Sequence, residues 1–179
     1  MKGTNKIFDG LLVLEYQSGN KKALSLLVNR YHNRLCKHSY WYTRDIDISK
    51  DIVQDCWSII INKLNGLKEP NSFGSWATKI VTRKSLDFLN NQKRNKMRLE
   101  EYQVVAASND NVASNDADVP KLIEAIRKLP NEQQMVLKLF YIEEYSLKEI
   151  SNIQEIAVGT VKSRLFHARE KLKKILKTK

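Results

Sequence analysis

At 179 residues the chain can hold one ordinary domain or two small ones. Hydrophobic residues at 42% suffice for packed cores, and 28% charged residues with only 6 Gly and 3 Pro suit a helical protein. The formal net charge of +11 points to a polyanionic partner. No apolar run approaches the length of a membrane span, and the start MKGTNKIFDG lacks a secretory h-region. Two cysteines, Cys36 and Cys56, make no disulfide framework, so the expected home is a reducing cytoplasm.

Helical periodicity runs through the first half. Asp9 is placed to cap LLVLEYQ, and Ser18-Gly19-Asn20 ends that helix. The stretch KKALSLLVNRYHNRLCKHSYWYT carries Leu24, Leu27, Val28, Tyr31, Leu35 and Ser39 along one side. Ser49 is the expected N-cap of KDIVQDCWSIIINKL. In that helix Ile52, Val53, Cys56, Trp57, Ile60 and Leu64 form an apolar face, and Asp51, Gln54, Asp55, Ser58 and Asn62 form the other. A loop from Gly66 to Ser72, with Pro70, leads into FGSWATKIVTRKSLDFLNNQKRNK. There Trp76, Ile80, Val81, Leu86 and Leu89 are expected inward, and Lys79, Arg83, Lys84, Asn90 and Asn91 outward.

After Met97 the periodicity fades. AASNDNVASNDADVP has no apolar stripe to bury and reads as a flexible linker. The expected organisation is therefore all-α, with a first domain over 7–98, a linker over 99–118 and a second domain over 119–177. Charge follows the same division. Residues 1–65 hold ten Lys/Arg against six Asp/Glu, and 66–98 hold eight against two. Residues 99–145 reverse the balance with four against nine, and 146–179 return to nine against three. Two basic blocks around an acidic one suggest two separate contacts with a polyanion.

The second basic block contains SLKEISNIQEIAVGTVKSRL followed by HAREKLKKILKTK. It reads as a short helix held by Leu147 and Ile150, a tight break, and a longer helix. Val158, Val161, Leu165, Ala168, Leu172 and Ile175 recur at three- and four-residue steps along the longer one. Its opposite face carries Thr160, Ser163, Arg164 and His167, with Lys162, Arg169, Lys171, Lys173 and Lys174 flanking. Short hydroxyls and a guanidinium on one stripe suit base edges in a major groove, and the flanking cations suit phosphates. Lysines at a helix C-terminus also serve the helix dipole; the preceding short helix and break favour a DNA-binding helix-turn-helix.

DIVQDCWSIIINKL, the loop after it, and FGSWATKIVTRKSLDFLNNQKR resemble conserved region 2 of bacterial RNA polymerase sigma factors. LPNEQQMVLKLFYIEEYSLKEISNIQEIAVGTVKSRLFHAREKL resembles their region 4, and a short chain with these two regions resembles the extracytoplasmic-function (ECF) group. The resemblance implies a promoter-specificity subunit of RNA polymerase rather than an enzyme. Asp51, Gln54 and Asp55 would then dock on the β′ clamp helices; the β flap is a further implied contact. Carboxylates at i and i+4 suit arginines on a partner helix. Lys68, Asn71, Ser72 and Phe73 align with the loop that captures a flipped −10 base, and Lys79, Arg83 and Lys84 would hold −10 phosphates. Thr160, Lys162, Ser163, Arg164, His167 and Arg169 would engage the −35 element. An anti-sigma factor, the cytoplasmic part of a membrane protein, is a further implied partner. No cofactor, metal or small-molecule substrate is expected.

The turn departs from the family pattern. Glu155 stands where glycine is common, Gln154 where an apolar residue is common, Ser151 where alanine is usual, and Ala157 where a small polar cap usually begins the recognition helix. These changes imply a looser turn. Two other functions compete. A helix-turn-helix regulator acting without polymerase leaves the Asp51/Gln54/Asp55 face unexplained. A metal-dependent enzyme would draw on His32, Cys36 and His38, but His38 points to a different face and no second CxxC or HxxxH pair supports it. Tyr40, Trp41 and Tyr42 point three ways on a helix, so at least one should face the core, and Trp57 and Trp76 are expected to be packing residues.

Overall fold

The computed structural model describes residues 2–99 and 118–177, with side chains over 5–94 and 122–176. All regular structure among the described residues is helical. The chain separates into two compact units, Met1–Gln103 and Val104–Lys179. Most of the expected linker lies outside the described residues.

The first unit contains α1 (Lys2–Gln17), α2 (Lys21–Thr43), α3 (Ile46–Leu64), a 3₁₀ turn (Pro70–Ser72) and α4 (Phe73–Leu99). Helix α2 packs against the other three. Val13, Leu27, Leu35, Val53, Cys56, Ile60, Leu64, Phe73, Ala77 and Val81 are wholly buried in the common core. Gly19, at φ +104°, makes the tight exit from α1 that an L side chain would resist, and Asn20 caps α2 through the Lys22 amide at 3.1 Å. Both the extent of α2 and the apolar face of α3 match the sequence periodicity.

Three expectations need correction. Asp9 is not a cap: it lies inside α1, buried, and accepts the Tyr31 hydroxyl at 2.6 Å and Arg30 Nε at 2.8 Å. Ser49 is not a cap either, because α3 starts a turn earlier. Arg44 in the left-handed conformation ends α2, and Asp45 then accepts the amides of Asp47 at 2.9 Å and Ile48 at 3.0 Å. Ser49 is buried and shares a hydroxyl bond with Thr43 at 2.7 Å. Leu86 is exposed rather than inward. Below Val81 the α2–α4 seam is polar and close: His38 Nε2 meets Thr82 Oγ1 at 2.8 Å, and the Ser39 and Ser85 hydroxyls meet at 3.0 Å. These four buried side chains thereby each have a partner, which offsets the main cost of burying them.

The second unit contains α5 (Asp118–Arg127), α6 (Asn131–Leu137) continuing into a π-helical turn (Lys138–Ile142), α7 (Leu147–Gln154) and α8 (Val158–Lys177). Helix α8 packs against α5, α6 and α7. Val136, Leu139, Ile150, Ile153, Val161, Leu165 and Ala168 form the centre of its core. The buried Gln134 amide donates to the carbonyls of Leu129 at 2.7 Å and Arg127 at 3.2 Å, closing the α5–α6 corner. Ser146 and Glu149 make a capping box at the start of α7, the S-x-x-E signature of a helix start.

Candidate nucleic-acid interface

In the second unit the buried Ile150 and Ile153 of α7 and Val161, Leu165 and Ala168 of α8 hold the two helices together across the break. Glu155 occupies the break at φ 55°, ψ 41°, the left-handed conformation that glycine adopts most easily. The turn is closed by the Glu155 and Ile156 amides donating to the Ser151 carbonyl, while the Ser151 hydroxyl donates to the Ile156 carbonyl. Ser151 thus anchors the turn from both sides. This corner presents α8 with its apolar face spent on the core.

On the outer face of α8, Thr160, Lys162, Ser163 and His167 are exposed. Arg164 is less free: its Nη2 pairs with Glu132 of α6 at 2.7 Å, and its side chain is 24% exposed. Arg169 stacks over the rings of Tyr141 at 5.5 Å and Phe140 at 5.8 Å, on the π-helical turn. Lys171 and Lys174 are exposed, and Lys173 pairs with Glu170 at 3.2 Å. Sequence reasoning missed the Glu132 contact, since nothing in the α8 pattern says which α6 residue comes near.

The first unit offers two further surfaces. Asp51, Gln54, Asp55, Ser58 and Asn62 are all exposed along the outer side of α3, so the two carboxylates one turn apart face outward from a helix whose other side is core. Beyond α3, Lys68 and Asn71 are exposed and Ser72 is half-buried, its hydroxyl donating to the Glu69 carbonyl at 2.6 Å. Phe73 corrects the expected base-capturing set. It is wholly buried, edge-on to Tyr31 at 5.0 Å and tilted against Trp76 at 6.2 Å, so it supports the loop from beneath and presents no surface to DNA. On α4, Arg83 and Lys84 are exposed and Lys79 is half-buried.

Tyr40, Trp41 and Tyr42 are each half-buried, so none of them enters the core fully; Arg44 stacks over the Trp41 ring at 5.2 Å. Trp57 is buried, and Trp76 is half-buried against the core. Cys36 Sγ lies 3.7 Å from His32 Nε2, and His38 is committed to Thr82. Among the described residues no group of three or more His, Cys, Asp or Glu could hold a metal ion. Burial pushes the Cys56 thiol up to about 12, with nearby Lys84 opposing weakly, and burial also raises Cys36. These are protonated, packed thiols rather than nucleophiles.

The family models match the two units in turn. Sigma-70 region 2 matches residues 27–95, and Sigma-70, region 4 matches residues 121–172. The chain belongs to the ECF group of RNA polymerase sigma factors. It is 29% identical to the ECF RNA polymerase sigma-E factor of Haemophilus influenzae, over 92% of this chain and 93% of that one. The sigma-E factor of Escherichia coli K12 is 27% identical over 93% of each chain. The sigma factor RpoE of Bartonella quintana, solved in complex with the anti-sigma factor NepR, shares the fold with a TM-score of 0.70 at 18% identity, covering 88% of this chain and 98% of that one. Membership makes the chain a DNA-binding transcription initiation factor. Among the described residues no helix is long and apolar enough to cross a membrane.

Proposed function

We propose that this sigma factor binds core RNA polymerase through the α3 face of Asp51, Gln54 and Asp55, and reads promoters with two separate surfaces. The −35 element is met as duplex by Thr160, Lys162, Ser163, Arg164, His167 and Arg169. The −10 element is opened and held by the loop residues Lys68, Asn71 and Ser72, with Lys79, Arg83 and Lys84 on the phosphates. Catalysis stays with the polymerase, and the sigma factor works in the cytoplasm. An anti-sigma factor, as in the Bartonella complex, is the expected inhibitor, and the β flap is a second contact with the enzyme.

The acidic face of α3 carries the polymerase assignment. A regulator that only binds DNA gains nothing from carboxylates displayed on a basic chain, since they repel phosphates. The same carboxylates suit charge-assisted bonds to arginines on a protein helix. Transcription reconstituted from core polymerase, this chain and selected promoter fragments tests the assignment. Asp51→Lys with Asp55→Lys should abolish both association with core and promoter-specific transcripts while leaving helicity intact, because both side chains are exposed. Retained binding to core by this variant would overturn the assignment of the surface.

A further inference from the structure

Helix α1 carries none of the residues assigned above, yet it meets the loop between α3 and α4 at both ends. At the C-terminal end of α1 the Gln17 side-chain amide donates to the Leu64 carbonyl at 2.9 Å and the Leu67 carbonyl at 3.1 Å, with a longer contact to the Asn65 carbonyl at 3.5 Å. The Leu64 carbonyl, in the last turn of α3, already accepts the Leu67 amide at 3.1 Å, so Gln17 adds a second donor there and ties the end of α3 to the loop that follows it.

Two turns back, Gly10 is buried beneath Asn71. A Cβ at Gly10 would overlap the Asn71 side-chain oxygen outright, and would come within 3.1 Å of Asn71 Cγ and 3.2 Å of its backbone nitrogen. The neighbouring Asp9 holds the Tyr31 hydroxyl, and Tyr31 in turn packs where a Cβ on Gly74 would come within 2.7 Å of that hydroxyl. The Tyr31 ring also meets Phe73 edge-on. The start of α4 is therefore tied through Tyr31 to the same turn of α1 that receives Asn71.

We infer that α1 is a positioning frame for the −10 loop, with Gln17 fixing its entrance and the Asp9–Gly10 step fixing its exit. The inference rests on the assignment of this loop to −10 DNA. A loop that reads one extruded base must hold its side chains to within about 0.5 Å of the productive geometry, through groups locked behind it. Here the locking groups belong to an element remote in sequence. Ordering the loop during folding removes that entropic cost from the step that captures DNA.

The test uses the full chain assembled with core polymerase. The probe is a single-stranded oligonucleotide carrying the −10 sequence that the wild-type holoenzyme selects from a random pool, together with its single-base variants. Gly10→Ala wedges Asn71 away, and Gln17→Leu removes the amide from a half-buried position while keeping a side chain of similar size. Each should reduce discrimination between the selected sequence and its variants by about tenfold, within the range one base contact provides. Assembly with core and binding of −35 duplex should not change. Asn71→Ala and Lys68→Ala serve as controls. If these controls disturb −10 discrimination while Gly10→Ala and Gln17→Leu do not, the frame is refuted and the loop assignment stands. If the controls leave discrimination intact, the loop assignment fails and takes the frame with it. Parallel loss of core binding and of −35 binding in the α1 variants would also refute the frame, as it would mark a general structural role.

Discussion

The turn between α7 and α8 holds two local defects that can be repaired without touching the α8 stripe proposed to read DNA. Glu155 sits at φ 55°, ψ 41°, where its Cβ costs about 1–2 kcal/mol relative to glycine. Glycine gives back part of this through a freer unfolded chain, about 0.5–1 kcal/mol. The net gain from Glu155→Gly is therefore about 0.5–1 kcal/mol, reduced by whatever the exposed carboxylate contributes, which at a surface is about 0–1 kcal/mol. Ala157 precedes α8 and its carbonyl accepts the Val161 amide at 3.1 Å, the bond expected of an N-cap, but its methyl caps nothing. Ala157→Ser should add about 1 kcal/mol, since the residue is exposed and a hydroxyl there reaches the free amides of the first turn. Together the changes should stabilise the second unit by about 0.5–2 kcal/mol, raising its melting temperature by roughly 3–15 °C for a unit of this size. Calorimetry of the whole chain, with each single variant and the double, reads the shift, and a −35 selection assay should return the wild-type preference. A rise with Ala157→Ser but a fall with Glu155→Gly would show that the carboxylate contributes more than the left-handed conformation costs. No rise with either would refute the account of the turn.

Arg164→Ala should cost about 1–3 kcal/mol at a preferred −35 sequence and relax discrimination at one base. Lys173→Ala should weaken all duplexes alike and lower the salt dependence by about one counterion; identical behaviour of the two variants in fluorescence titrations would refute the division into reader and anchor. Glu132→Gln, which frees Arg164 from its 2.7 Å ion pair, should change stability by less than about 1 kcal/mol because the pair is partly exposed. It should tighten binding to unrelated duplex more than to the preferred one, and an unchanged ratio would rule out a role in selectivity. With its thiol raised to about 12, Cys56 stays protonated at neutral pH and should resist iodoacetamide in the folded chain, reacting only after denaturation; rapid labelling of the native protein, read by mass spectrometry, would contradict its burial.

Features that depend on one helix alone were legible in the sequence. The bounds of α2, the apolar face of α3 and the α8 stripe follow from 3.6-residue periodicity, which needs no knowledge of what lies opposite. What escaped depends on a neighbour. Asp9 looks like a cap because a carboxylate before an apolar run usually is one; only the approach of Tyr31 and Arg30 makes it an interior group. Thr78, Thr82 and Ser85 carry no hydrophobic signal, so the α4 face seemed to pass through Leu86, whereas small hydroxyls let α2 approach and are satisfied there in part by His38 and Ser39. Phe73 joined the base-capturing set through the family resemblance but lies in the core, because the 3₁₀ turn at Pro70–Ser72 swings the chain back onto Tyr31.

The carboxylates show why the acidic face of α3 stands apart. In a chain of net charge +11, several of the acidic groups serve the fold. Asp9 is buried against Tyr31 and Arg30, Asp45 caps α3, Glu149 closes the capping box of α7, and Glu143 forms a buried pair with Lys138 at 3.4 Å. Glu124 is held below the usual carboxylate range by its bond to Lys128, just past the end of α5. Asp51 and Asp55 do none of this. They are exposed, separated by one helical turn, and sit mid-helix, where neither the start nor the end of the dipole gains from them. This pair of charges lies in register with Gln54, on a helix whose opposite face is core, and would repel phosphates rather than bind them. That arrangement supports the proposed docking on a protein partner rich in arginine, which a regulator that meets DNA alone would not need.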